Sequence, residues 1–291
     1  MTDPNARVVC CDLDGVVWRG DTPIPGSADA IDALRAAGWR VAFTTNNSSL
    51  RIADYVKRLA ECGIAAEPEE VCTSAQAAAV LVATRVTAAA RVLATAGPGV
   101  VEALEERGLA IVTAPPADAV VVGFHRDFDF DRLARAADAV RAGAFYVATN
   151  LDPTYPVHGG MIPGAGALAA AVSTAGGRTP EVAGKPERPM ADLVRTRFGN
   201  TGIVVGDRPS TDGAFAAALG WPFALVLSGV AGSPGGEPVP NPAPPFVAAD
   251  LARLVPVLGP AAPGQARDPE ARTVNPVPRG ALEGRRSKPH Q

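Results

Sequence analysis

The chain is poor in aromatic residues, which make up 5% of its 291 residues. It is also poor in cysteine, carrying only Cys10, Cys11, Cys62 and Cys72. Their spacing matches neither a zinc ligand set nor a CxxC redox pair, so a domain stapled by metal or disulfides is excluded and all four read as reduced thiols. No run of 18 or more uninterrupted apolar residues occurs, so no membrane span is expected. Residues 1–7 lack the apolar centre of a signal peptide, and a cytoplasmic location is the resulting expectation. The formal net charge is only -3, which argues against a general nucleic-acid binder. Lysine is the scarcest cation: Lys57, Lys185 and Lys288 stand among 27 Lys and Arg.

What is present points to an α/β protein. Hydrophobic residues make up 47% of the chain, enough for a sizeable core. Arg7 to Cys11 is a short apolar run that ends abruptly in Asp12 and reads as a buried strand. Cys10 and Cys11 are adjacent in it, so their side chains should point to opposite faces. Pro25-Gly26-Ser27 opens a helix that Gly38 closes. Arg40 to Phe43 is the next strand, followed by a polar run and a helix carrying Ile52, Tyr55, Val56 and Leu59. Strand–helix–strand–helix order predicts a doubly wound parallel sheet. A second alternation fills the middle of the chain, with strands at 91–94, 119–122 and 145–149. Beyond it come a helix at 190–198, a strong strand at 202–205, a helix at 211–219 and a strand at 223–227. Residues 228–245 are a Gly/Pro-rich loop, and 246–258 supply one last strand and helix. The tail, 259–291, carries six Pro and few apolar residues; it cannot offset its ordering entropy and is expected to be disordered.

Four short elements carry chemistry-bearing residues at strand ends or in adjoining loops, where ligands of open parallel sheets bind. In Asp12-Leu13-Asp14-Gly15, two carboxylates can approach one ligand at a tight turn. Such close anions repel unless a cation or proton is shared, and magnesium, which prefers oxygen ligands, suits them. Taken alone, the tetrapeptide fits a solvated turn as well. Thr45-Asn46-Asn47 offers a hydroxyl, an amide and free backbone N–H groups for a phosphate; taken alone, ordinary helix capping is the favoured reading. Gly184-Lys185-Pro186 places a compact ammonium where it can balance a phosphate and a carboxylate; a surface lysine in a turn is the bland alternative. Gly206-Asp207-Arg208-Pro209-Ser210-Thr211-Asp212 follows an apolar strand. Asp207 there is a candidate metal ligand, and Asp212 a partner for Lys185 or for a helix dipole. The four in this order are far more specific than any one.

Together these residues resemble the haloacid dehalogenase superfamily of phosphohydrolases. More narrowly, the chain resembles the NagD-like group, which includes p-nitrophenyl, pyridoxal and phosphoglycolate phosphatases. The run Cys11 to Gly20, Thr45-Asn46-Asn47-Ser48-Ser49, Gly184-Lys185-Pro186, and Gly206-Asp207-Arg208 with Asp212 are similar to its four motifs. The likeness covers about residues 7–258. It implies a Rossmann-like core of residues 1–78 and 181–258 and an inserted α/β cap at 79–180. It also implies a magnesium-dependent hydrolase in which Asp12 attacks phosphorus and Asp14 serves as acid and base. Magnesium is then held by Asp12, the Asp14 carbonyl and Asp207, and the phosphoryl group by Thr45, the Asn46 N–H and Lys185, with Asp212 behind Lys185. Asp152, Tyr155 and His158 are the cap candidates for substrate contacts. Trp18 reads either as a cleft-lining residue or as a packing anchor. His125 departs from the group, where many relatives carry Asp. The expected partner is a small phosphorylated metabolite, with no nucleic acid and no membrane, and a homodimer through the cap is one option. Phosphotransfer to an alcohol, or a phosphate-ester sensor without turnover, are the alternatives.

Overall fold

The computed structural model describes residues 7–157, 160–233 and 235–260. His158 and nearly all of the 259–291 tail lie outside these residues. Five consecutive buried residues, Val8–Asp12, form the strand on which the first sheet is built. A strand buried on both faces needs no polar alternation. The sheet has six strands, in the order Phe246–Ala248, Phe223–Val226, Gly202–Gly206, Val8–Asp12, Arg40–Thr45, Val71–Thr73. Every neighbouring pair is parallel. Its two faces are distinct. Val8 and Cys10 pack with Ala42, Cys72 and Val204 on one side. Val9 and Cys11 pack with Val41, Phe43, Ile203 and Val205 on the other. The adjacent cysteines do point apart, and both are free.

A second parallel sheet has five strands, in the order Glu181–Val182, Phe145–Ala148, Ala119–Val122, Arg91–Thr95, Ala110–Val112. One face is covered by the helices Phe130–Arg141 and Ala165–Gly176. Its other face, through Val92, Val121 and Val147, belongs to the same apolar cluster as Val8 and Cys10 of the first sheet. Between them lies the helix Ser74–Arg85, whose Ser74 to Ala79, Leu81 and Val82 are all buried. Buried all round except at its last turn, that helix has no apolar stripe, so periodicity misses it. Its start is nonetheless written in the chain: Thr73 accepts from the Gln76 N–H while the Gln76 side chain accepts from the Thr73 N–H, a capping box.

Several expected boundaries shift. The helix expected at 211–219 is instead a wide π-type turn, Pro209–Gly213, followed by the helix Ala214–Leu219. The helix Ser74–Arg85 runs across the expected division at 78, and the second sheet ends at Val182, two residues past 180. The strand Ala110–Val112 and the hairpin Thr154–Val157 with Gly160–Pro163 were not apparent. The strand is too short to show a period, and the hairpin pairs only with itself.

Two connecting segments run side by side where the chain leaves the second sheet. The Gly184 N–H donates to the Thr149 carbonyl at 2.8 Å. A Cβ on Gly184 would overlap that carbonyl and Asn46 Oδ1. Gly184→Ala is therefore expected to cost about 1–3 kcal/mol by overpacking. The check is a lower urea midpoint at unchanged slope.

Candidate active site

The site assembles at the carboxyl ends of the first sheet. Asp12 is the last residue of its strand, and the chain then turns tightly. The Leu13 carbonyl accepts from the Val17 and Trp18 N–H groups at 2.9 and 3.2 Å. Gly15 sits at φ +87°, a conformation that glycine adopts without penalty. The turn leaves Asp14 half-buried beside Asp12, with Oδ1 accepting the Trp18 indole N–H at 3.1 Å.

Lys185 enters from the segment that leaves the second sheet. Its Nζ lies 2.5 Å from Asp12 Oδ1 and 2.7 Å from Asp212 Oδ1, and all three residues are buried. Burial alone would pull the Lys185 ammonium down, but Asp12 and Asp212 outweigh it and hold the group charged well above its ordinary value. Burial pushes the Asp12 carboxyl up; Lys185 opposes this, while Asp212, Asp207 and Asp14 add to it.

Asp207 follows the strand Gly202–Gly206, and its Oδ2 accepts from the Val230 N–H. A Cβ on Gly15 or on Gly229 would overlap this carboxylate, so two backbones close on it from different loops. Burial and the neighbouring Asp212 raise Asp207 to about 7. Carboxylate oxygens of Asp12, Asp207 and Asp212 lie within 4.8 Å of one another. Lys185 is the one ammonium against these three, so the cluster keeps an excess of negative charge. A divalent cation with oxygen preference fits that donor set.

Thr45 ends the strand Arg40–Thr45 and is buried, its Oγ1 accepting from the Asn47 N–H at 3.0 Å. Asn46 has a role in packing that its sequence context did not suggest. Its Nδ2 donates to the Lys185 carbonyl at 3.0 Å and to Asp152 Oδ2 at 3.2 Å. Its carbonyl accepts from Ser74 Oγ and Asn150 Nδ2, each at 2.7 Å. The side chain thus ties the two connecting segments together, which leaves its backbone N–H as the group to offer a ligand.

The structure brings Asp152 and Tyr155 to this site. Asp152 lies 3.7 Å from Arg208, which also approaches Glu237 of the Gly/Pro-rich loop at 3.7 Å. The Tyr155 hydroxyl accepts from Asn47 Nδ2 at 3.1 Å, and its ring stacks on Phe124 at 4.9 Å. His125 is packed inside the second unit against Phe128, with Nδ1 at 2.9 Å from the Gly123 carbonyl. Arg208 and Asn47 were visible within quoted motifs, but nothing in the sequence showed what they would touch.

Comparison with known proteins shows the family. A family model described as haloacid dehalogenase-like hydrolase matches residues 9–110, and one described as HAD-hydrolase-like matches residues 182–254. The chain belongs to the haloacid dehalogenase-like hydrolases. It is 40% identical over 222 residues to a D-glycerol 3-phosphate phosphatase of Mycobacterium tuberculosis, covering 75% of this chain. That match spans 62% of the relative, less than two thirds of its length. A crystal structure of glycerol phosphate phosphatase from the same organism, in complex with magnesium, superposes with TM-score 0.76. The two are 35% identical, with 88% of this chain and 79% of that chain covered. A p-nitrophenyl phosphatase from Archaeoglobus fulgidus gives TM-score 0.77 at 29% identity, covering 87% and 99%. Within the family, the chain groups with the NagD-like and p-nitrophenyl phosphatases.

The raised Asp207 has a consequence for stability. An unfolded Asp titrates near about 3.9, whereas Asp207 holds its proton to about 7 in the metal-free fold. Between those values the folded state binds more protons than the unfolded one, so metal-free stability falls as pH rises through the window. Asp12 and Asp14, raised by burial, act in the same direction. Magnesium competes with those protons. The expected outcome is a melting temperature that magnesium raises more at pH 8 than at pH 5.5. Equal increments at both would contradict it.

Proposed function

We propose that this chain is a magnesium-dependent phosphatase of small phosphate monoesters, with a polyol phosphate of the glycerol 3-phosphate class as its substrate. The observation that carries the chemistry is the buried Lys185 ammonium held between Asp12 and Asp212, with Asp207 alongside. The similarity to glycerol phosphate phosphatases supports the substrate class.

In this reading Asp12 is the nucleophile. Its carboxylate oxygen bonds to phosphorus as the bond from phosphorus to the ester oxygen breaks. Asp14 gives that ester oxygen its proton, and the alcohol leaves. Asp14 then takes a proton from water as the water oxygen bonds to phosphorus and the Asp12–phosphorus bond breaks, releasing inorganic phosphate. Burial raises Asp14 above the ordinary carboxyl range, which favours a group that must carry a proton part of the time. Thr45, the Asn46 N–H and Lys185 hold the phosphoryl oxygens. Asp12, the Asp14 carbonyl and Asp207 would hold magnesium, which when bound would neutralise phosphoryl charge. Asp212 keeps Lys185 aimed at Asp12. Asp152 and Tyr155 belong to the wall that meets the leaving alcohol.

The six-stranded unit is then the chemical core and the five-stranded unit its cap, the division falling near 78 and 181. Association of two copies through the cap belongs to the same reading. The exposed Phe130, Leu151 and Met161, all on that unit, support it. So does a cytoplasmic setting, in keeping with the buried, unpaired Cys10, Cys11 and Cys72; among the described residues, no helix is long and apolar enough to cross a membrane.

The test measures phosphate release from glycerol 3-phosphate and p-nitrophenyl phosphate with added magnesium. Asp12→Asn is expected to lower kcat by at least about 10³-fold, since removing a nucleophile removes its whole pathway. EDTA should abolish turnover and excess magnesium restore it. Turnover that survives either change, or a phosphorylated acceptor alcohol in place of free phosphate, would sink the hydrolytic mechanism.

A further inference from the structure

The turn after the nucleophile strand joins an indole to the second carboxylate. Residues 13–18 fold back on themselves: the Gly15 N–H donates to the Trp18 carbonyl at 2.6 Å, and Leu13 accepts from Val17 and Trp18. Trp18 therefore arrives beside Asp14, its Nε1 at 3.1 Å from Asp14 Oδ1. Only 1% of Trp18 is exposed, so solvent offers its N–H no alternative acceptor, and a buried indole N–H needs one. The other face of the contact is also closed. The Arg58 guanidinium lies over the Trp18 ring, 4.2 Å from its centroid, and donates to the Gly20 carbonyl. Arg58 itself sits near Asp21, at 3.7 Å. The indole is held over its face by a cation and at its edge by a carboxylate, at the start of the hairpin Trp18–Arg19 with Thr22–Pro23.

We infer that Trp18 is a positioning residue for Asp14, fixing Oδ1 as an acceptor so that Oδ2 is the oxygen that delivers and recovers the proton. The inference rests on the phosphatase reading above. A carboxyl torsion is broad and nearly two-fold, whereas proton transfer needs the oxygen within about 2.6–3.2 Å of its partner. In the first half-reaction the proton passes from Oδ2 to the ester oxygen as the phosphorus–ester bond breaks. In the second it passes from water to Oδ2 as water bonds to phosphorus and Asp12 is released. Trp18 keeps its own proton throughout, and no redox change occurs.

Trp18→Phe tests this, because Phe keeps an aromatic ring under Arg58 and lacks the N–H; the packing it also loses is common to both substrates. A poorly leaving alkoxide depends on the acid, while p-nitrophenolate depends on it far less. The readout is kcat/KM for glycerol 3-phosphate divided by kcat/KM for p-nitrophenyl phosphate. This ratio cancels any loss of folded enzyme. It is expected to fall by about tenfold, a part of the 10²–10⁴-fold that a placed acid contributes, with KM for both substrates little changed. Trp18→His, which keeps a ring N–H, should hold the ratio within about threefold of wild type, as expected if the donor is what matters. If wild type is active and the Phe variant loses both activities by one factor, or its ratio rises, the positioning role is overturned and the phosphatase reading stands. A His variant that falls as far as the Phe variant also overturns it. An inert wild type overturns the phosphatase reading and this role with it.

Discussion

A buried ammonium between two buried carboxylates is the constraint on which the rest of the site depends. Removing Lys185, Asp12 and Asp212 from water is costly, and only close, well-made contacts offset it. Those contacts, at 2.5 and 2.7 Å, require three distant parts of the chain to meet. The sheet order meets the requirement. Val8–Asp12 lies between Gly202–Gly206 and Arg40–Thr45, so Asp12, Asp207 and Thr45 end side by side. Lys185 completes the set only because the chain returns from the second sheet at that point.

The charge balance that results is deliberate in its physical effect. One ammonium cannot satisfy Asp12, Asp207 and Asp212 together, which is why burial leaves Asp207 near 7 in place of an ordinary carboxyl value. The cluster is short of positive charge, and this deficit makes metal and proton compete for the same carboxylates. Close backbone approach keeps the site small: Gly15 and Gly229 leave no room beside Asp207 for a side chain. Around it, Asn46 ties the two connecting segments to the core through Lys185, Asn150 and Asp152, and Ser74 holds the Asn46 carbonyl, while Asn47 holds Tyr155.

Much of this was legible along the chain. Asp12, Asp14, Lys185, Asp207 and Asp212 were found because each follows an apolar strand or stands in a short Gly-bounded loop, and their order is specific. The opposite orientation of Cys10 and Cys11 followed from the two-residue period of a strand. The helix Ser74–Arg85 was missed for the converse reason. Its first turns are buried on every side between the two sheets, and only Ala83 to Arg85 are exposed, so no polar face marks its period. The wide turn at Pro209–Gly213 was read as helix because its residues fit one; the pairing of Asp212 with Lys185 and with the Arg208 N–H at 3.2 Å pulls the backbone away from that form.

By itself the sequence determined the parallel α/β architecture and the order of the charged groups along the chain, because strand periods, strand-end carboxylates and Gly-bounded turns are local properties; the chemistry entered through the resemblance those groups carry. Tertiary structure alone decided which partners those groups took. It turned the Asn46 side chain from a ligand candidate into a tie between segments, set Arg208 between Asp152 and Glu237, and brought the Trp18 indole to Asp14. These contacts depend on distances between residues remote in the chain or on how a turn closes, and a burial that no single segment can encode.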